Sequence, residues 1–112
     1  MSRSEHAAAR IRSLNDMFRT TFIGGRVLIT EGVAALGQDF ESNSVEAVQR
    51  FRNFNADNDP YGEHDFGSIQ IDGKRVFWKI DYYDQDCRYG SECPSDPNRT
   101  TRVLTIMLAS EY

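Results

Sequence analysis

One short stretch in the second half of the chain constrains the fold most. Phe66–Ile71 alternates between apolar and polar or small side chains, Asp72-Gly73 follows, and Lys74–Tyr83 alternates again. An Asp-Gly pair between two alternating runs is a strong signal for a tight turn between antiparallel strands. The sequence therefore predicts a β-hairpin, and any fold for this chain must place a sheet around it.

The rest of the chain supplies two helices and two further strands. Apolar side chains spaced three and four residues apart predict amphipathic helices at residues 4–22 and 44–55. Short apolar runs predict strands at Arg26–Thr30 and Thr101–Ala109. The order α-β-α-β-β-β is typical of an α+β domain, here spanning residues 1–112, with two helices packed on one face of a mostly antiparallel sheet.

Alternation along the second hairpin strand assigns its side chains to two faces. One face is predicted to form the core with the helices; it contains Val76, Trp78, Ile80 and Tyr82, with Ile69, Ile71, Leu104, Ile106 and Leu108 from the other strands. The opposite face mixes aromatic, charged and polar groups, among them Phe77, Lys79, Asp81 and Tyr83. An antiparallel sheet can leave one face in water, which accounts for this mixture.

The details of the helical regions follow from local signals. Gly24-Gly25 is expected to end the first helix, on which Arg19 is predicted to lie away from the apolar face. Glu31-Gly32 is predicted to be a turn, and residues 33–42 are ambiguous, with a short helical turn as one interpretation. Either Asn43 or Ser44 is expected to cap the second helix.

Charge and composition exclude several classes of protein. The formal net charge is −4 and the pI about 5.1, which argues against direct nucleic-acid binding, since that requires a basic surface. A membrane span needs about 20 consecutive apolar residues, and the sequence has no run of that length. The first six residues lack the apolar stretch of a secretory signal, so we expect a cytoplasmic protein.

The two cysteines, Cys87 and Cys93, have three possible roles: unpaired loop thiols, a disulfide or metal ligands. Unpaired thiols are favoured, because the cytoplasm is a reducing compartment.

Several segments together resemble a known family of small bacterial proteins. They are Ile11-Arg12-x-Leu14-Asn15-Asp16-x-Phe18-Arg19, Gly25-Arg26-Val27, Thr30-x-Gly32-Val33, Asp57-Asn58-Asp59-Pro60-x-Gly62-Glu63-His64-Asp65-Phe66-Gly67, Phe77-Trp78-Lys79-Ile80-Asp81-Tyr82-Tyr83-Asp84 and Thr101-Arg102-Val103-Leu104-Thr105-Ile106-Met107-Leu108-Ala109. The chain resembles the domain of unknown function family 3768. This resemblance implies a single-domain cytoplasmic protein of the kind carried on plasmids and other mobile elements, and it implies no activity.

Residues 57–65 form a loop rich in acidic side chains. Asp57 and Asp59 fall at positions 1 and 3 of a calcium-binding loop, but the glutamate expected at position 12 is Ser68, so the loop is not an EF-hand. An irregular cation site and a turn in which Asp and Asn side chains accept backbone hydrogen bonds are the alternatives. The candidate cation ligands are Asp57, Asp59, Glu63 and Asp65. No zinc site is predicted, because His6, His64 and the two cysteines are unsuitably spaced, and no cofactor is predicted.

His64 is the one candidate for acid–base chemistry. A neighbouring carboxylate can orient a histidine and make it a better base. On this alternative hypothesis, a small ligand- or cation-binding enzyme would use His64 with Asp65, Lys79 and Asp81. The competing interpretation, which we favour, is a hydrogen-bonded structural histidine, with no catalytic residues in the chain.

The two halves of the chain differ in charge. Residues 1–56 carry seven basic and six acidic side chains, whereas residues 57–112 carry six basic and eleven acidic ones. The acids flank the hairpin and are expected to form one negative patch that meets a basic protein surface. The sequence therefore favours a non-enzymatic module that binds another protein through an acidic hairpin region. The predicted binding residues are Asp57, Asp59, Glu63, Asp65, Asp81, Tyr83, Asp84 and Asp86.

Overall fold

Three helices, four strands and a final 3-10 turn make up the structure, a computed structural model that describes residues 2–112. In chain order the elements are α1 (Arg3–Thr21), β1 (Arg26–Ile29), α2 (Glu31–Ala34), α3 (Gln38–Arg50), β2 (Phe66–Ile71), β3 (Lys74–Tyr83), β4 (Thr101–Leu108) and the 3-10 turn (Ala109–Glu111). None of the described helices has the length and apolar character needed to cross a membrane.

The four strands form one sheet in the order β1-β4-β3-β2. The hairpin is confirmed, with Phe66 opposite Lys79 and Ile71 opposite Lys74. Its turn is tight because Asp72 and Gly73 both have positive φ, 48° and 78°, which matches the twist of the flanking strands. β4 pairs antiparallel with β3 and parallel with β1, so the predicted α+β fold with a mostly antiparallel sheet is confirmed.

The helices and the sheet enclose one core on the predicted face. Trp78 is completely buried at its centre, where its ring meets Phe51 and Phe54 edge to face. The indole lies so close to Gly67 that a Cβ there would approach its Nε1 to 2.2 Å, so this position of β2 requires glycine. The remaining buried core side chains are Phe18, Val33, Phe40, Val48, Val76, Ile80, Leu104 and Ile106.

The predicted boundaries of the second helix are wrong at both ends. Helix α3 begins at Gln38, directly after Gly37, which has a φ of 102°, and it ends at Arg50. Ser44, expected to cap the helix, is buried inside it, and its hydroxyl donates to the Phe40 carbonyl at 2.8 Å. Phe51 has an extended backbone, so it and Phe54 enter the core from a loop.

Two other local predictions are also corrected. Glu31-Gly32 does not form a turn but begins helix α2, because the Thr30 hydroxyl caps the Val33 amide. Arg19, expected away from the apolar face of α1, is only 3% exposed. Asn15 is fully buried on the same helix, so the inward face of α1 contains two polar side chains that the apolar spacing did not reveal.

Candidate functional site

A buried polar network joins α1, the sheet and the loop before β2. The Asn15 side-chain amide donates to the Glu63 carbonyl at 3.0 Å and to the Tyr82 hydroxyl at 2.8 Å, while its oxygen accepts from the Arg102 guanidinium at 2.8 Å. Burial raises the pKa of the Tyr82 phenol. Tyr82 therefore stays protonated and donates to the Glu63 carboxylate at 2.8 Å. The network satisfies its own buried groups, which is what holds the loop in place.

His64 lies at the edge of this network, between two carboxylates. Its Nδ1 is 2.8 Å from Asp16 Oδ1, and its Nε2 is 3.6 Å from Asp59 Oδ2. The ring stacks on Phe54 with centroids 3.7 Å apart. Its backbone φ is 55°, uncommon for a residue with a side chain. With both nitrogens facing carboxylates, the imidazole fastens the loop to α1, which favours the structural interpretation of this histidine.

The four residues of the alternative catalytic set do not meet in one place. His64 packs on the helix side of the sheet, where Phe54 contacts Trp78. Lys79 and Asp81 lie on the opposite face and pair with each other at 3.0 Å. The hydrogen bond to Asp81 raises the pKa of Lys79. The sheet separates this ion pair from the histidine.

The carboxylates before β2 mostly serve the loop itself. Asp59 Oδ1 accepts the backbone amides of Glu63 and His64, each at 3.1 Å, and the Glu63 carboxylate accepts from Tyr82. Asp57 is exposed at the start of the loop. Within the described part of the chain, no three His, Cys, Asp or Glu side chains are grouped so that they could hold a metal ion. The arrangement corresponds to the turn in which acidic side chains accept backbone hydrogen bonds.

The Asp65 carboxyl is partly buried near other acidic groups. Burial raises the pKa of its carboxyl, and the charges of Glu63, Asp59 and Asp81 raise it further. Acidic groups from the loop and from β3 therefore act on one carboxylate at this end of the hairpin.

Asp65→Asn is expected to increase stability at neutral pH. In the unfolded chain the carboxyl titrates near 3.8, and its pKa is higher in the folded state, so folding loses stability as the pH rises through that interval. The asparagine removes this penalty. Urea unfolding of both proteins at pH 7 and pH 3 measures the effect: the variant should gain stability at pH 7, and the difference should vanish at pH 3. An equal or larger gain at pH 3 would contradict the electrostatic cause.

The loop between β3 and β4, residues 84–100, forms an acidic concavity. A cleft of about 430 Å³ is lined by the acidic side chains Asp84, Asp86 and Glu92, with Arg99 as the basic side chain among its lining residues. The Tyr89 side chain, 74% exposed, lies beside it. Asp84 and Asp86 were predicted binding residues. Glu92 and Tyr89 were not, because an irregular loop has no periodicity from which to predict which side chains meet.

Backbone and side-chain contacts hold this loop in shape. The Asp84 amide donates to the Tyr89 carbonyl at 2.8 Å, and Asp84 Oδ1 accepts the Arg88 amide at 3.0 Å. Arg102 donates to the Pro94 carbonyl, and Arg10 of α1 donates to the Ser95 carbonyl at 3.1 Å. The loop is therefore tied to both the sheet and the first helix, so its acidic side chains have defined positions. Its two cysteines, Cys87 and Cys93, are free thiols.

One protein-family model matches most of the chain. The family model described as "Protein of unknown function (DUF3768)" matches residues 29–111. The chain belongs to this family. The DUF3768 match covers both loops described above and all of the sheet except Arg26–Leu28. Searches of the curated proteins and of the solved structures found no match. The family resemblance found in the sequence is confirmed.

Proposed function

We propose that this DUF3768 protein is a non-enzymatic module that binds a basic surface on another protein. The observation that supports this most directly is the cleft in the 84–100 loop, where three carboxylates and one guanidinium line about 430 Å³. A Lys or Arg side chain from a partner fits this chemistry, since a guanidinium or ammonium ion forms charge-assisted hydrogen bonds with carboxylates.

The surroundings of the cleft favour a protein partner. Tyr89 lines the cleft and its side chain is 74% exposed. Exposed tyrosines are enriched at protein interfaces because the ring supplies apolar contact area and the hydroxyl a hydrogen bond. Asp65 adds to the acidic character of the neighbouring end of the hairpin. The proposed contact therefore combines acidic side chains with one aromatic anchor, Tyr89.

The enzyme alternative has less support from the geometry. His64 has a carboxylate at each nitrogen, while Lys79 and Asp81 pair on the far side of the sheet. A general base needs a nitrogen within hydrogen-bond reach of the proton it removes. The arrangement around His64 instead resembles a fastening between a loop and a helix.

A charge-neutralising variant tests the proposal. Changing Asp84 and Asp86 to Asn and Glu92 to Gln removes three charges from the cleft while keeping the shapes of the side chains. The control removes three exposed helical charges instead, with Glu31→Gln, Asp39→Asn and Glu46→Gln. Tagged wild type and both variants are compared in pull-downs from bacterial lysate at low and high salt.

The cleft variant should retain roughly tenfold less of any partner that the wild type retains at low salt. The control should behave like the wild type. High salt should reduce capture by the wild type, because exposed charges are screened within about 8 Å at physiological ionic strength. Equal capture by both variants would remove the cleft from the interaction, and binding of the wild type to bare duplex DNA would contradict the charge argument.

A further inference from the structure

The face of the sheet opposite the helices has an ordered arrangement of its own. Its centre is a column of side chains from β4: Val103, Thr105 and Met107. On one side lie Arg26, Leu28 and Thr30 from β1 and its end, and on the other lie Asp81, Lys79 and Phe77 from β3. We call this surface the outer face. Val103 and Met107 are largely buried in it, while Leu28 is 53% exposed.

The strand register places opposite charges at matching positions across this face. Val103 pairs with Arg26 on one side and with Asp81 on the other. The two charged side chains therefore lie at the same height, each one strand away from the central column. Among the described residues, Asp81 pairs with Lys79, and the Arg26 guanidinium, which is exposed, forms no ion pair.

This pattern is complementary to itself. Two copies can face each other across a two-fold axis that runs parallel to β4 and midway between the two sheets. Rotation about this axis places β1 of one copy opposite β3 of the other and keeps each residue's position along the strand direction. Arg26 of each copy then faces Asp81 of the other, and the contact occurs twice. The same operation places Leu28 against the aliphatic part of the other copy's Lys79, and the β4 columns meet on the axis.

We infer that the outer face binds a second copy of this chain, in a symmetric sheet-on-sheet dimer held by two Arg26–Asp81 contacts. Closed two-fold dimers are the commonest protein assemblies, and their interface must be one self-complementary patch. Facing sheets pack about 10 Å apart, with their side chains interleaved between them. The dimer would cover the exposed Leu28 side chain and give the Arg26 guanidinium a carboxylate partner.

This interface shares no residue with the acidic cleft of the 84–100 loop. The two proposals are therefore independent. A dimer formed through the outer face presents two copies of the cleft to a partner, and failure of either proposal leaves the other untouched.

Charge reversal on each side of the face tests the inference. In a symmetric dimer, Arg26→Glu sets two carboxylates against each other at both contacts, and Asp81→Arg sets two guanidinium groups against each other at both. Each variant alone should associate roughly a hundredfold or more weakly than the wild type, since apposed like charges cost several kcal/mol. When the two variants are mixed in equal amounts, one contact joins the introduced glutamate to the introduced arginine. The other contact joins the native Arg26 to the native Asp81, so both become attractive.

Sedimentation equilibrium and light scattering measure the association, and circular dichroism confirms that each variant is folded. The expected results are a dimeric wild type, two monomeric variants and a dimeric mixture containing one copy of each. A wild type that stays monomeric at the highest soluble concentration overturns the inference. So does a dimer that persists equally in both variants, because it must use another surface. A mixture that remains monomeric also overturns the proposed pairing.

Discussion

Trp78→Ala should lower the free energy of unfolding by about 3–5 kcal/mol, the range for deleting a large buried aromatic side chain. Trp78 is completely buried and contacts Phe51 and Phe54, and the Arg19 guanidinium lies over its ring. Gly67 fits directly against the indole. Alanine would leave a cavity that touches the sheet, α1 and the segment after α3 at once, so no single element can move to fill it.

Urea unfolding followed by circular dichroism measures this loss. Tyr61→Ala is the matched control, because it removes another large aromatic side chain at a position that is 80% exposed. The control should change stability by about 0.5 kcal/mol or less. A loss below about 1 kcal/mol for Trp78→Ala would mean that the indole is not at the centre of the core.

The sheet was predictable from the sequence because its signals are local. Asp72-Gly73 specifies the turn by its backbone preferences, and the turn fixes the register of β2 against β3. Successive side chains of a strand point to opposite faces of the sheet. Once Trp78 was assigned to the core, this alternation assigned the remaining residues of the strands to their faces. The family could also be predicted from the sequence, because a family resemblance depends on the identity and order of the residues and not on their contacts in the fold.

Helix α3 was misplaced because its end depends on a residue far away in sequence. The spacing of Val45, Val48, Phe51 and Phe54 continues a helical pattern beyond Arg50. In the structure the Arg19 guanidinium of α1 donates hydrogen bonds to the carbonyls of Val48 and Phe51. The backbone becomes extended at Phe51, which ends the helix. Phe51 and Phe54 still enter the core, so the apolar positions were correct although the secondary structure was wrong.

The site residues illustrate the same limit. The acidic loops could be predicted because their charges are adjacent in sequence. The partners of His64 could not all be predicted, since Asp16 lies 48 residues earlier on a helix whose polar side chains were expected to face solvent. The network of Asn15, Tyr82 and Arg102 spans 87 residues, and no spacing in the sequence indicates that these three side chains meet. Only the packing of α1 on the sheet brings these groups together.

The burial of Arg19 was not predicted from the sequence. Its replacement should cause the second large loss in the free energy of unfolding. Its guanidinium donates to the Val48 and Phe51 carbonyls at 3.0 and 2.9 Å and pairs with Asp16 at 3.3 Å. Burial lowers the pKa of Arg19, because removing its charge from water is costly. Arg19 is the donor to the Phe51 carbonyl and a second donor, beside the Phe51 amide, to the Val48 carbonyl at the end of α3.

Arg19→Met should therefore destabilise the protein by about 2–4 kcal/mol. The methionine keeps the apolar stem but leaves the Phe51 carbonyl without its donor and the Val48 carbonyl with only the Phe51 amide at 3.3 Å. Arg50→Met is the matched control: Arg50 pairs with Glu46 on the exposed surface of α3, and its loss should cost about 0.5 kcal/mol or less. Urea unfolding measures both variants, and hydrogen exchange should show faster opening of the last turn of α3 only in Arg19→Met. Equal losses of stability in the two variants would mean that the buried Arg19 guanidinium stabilises the protein no more than the exposed ion pair of Arg50 does.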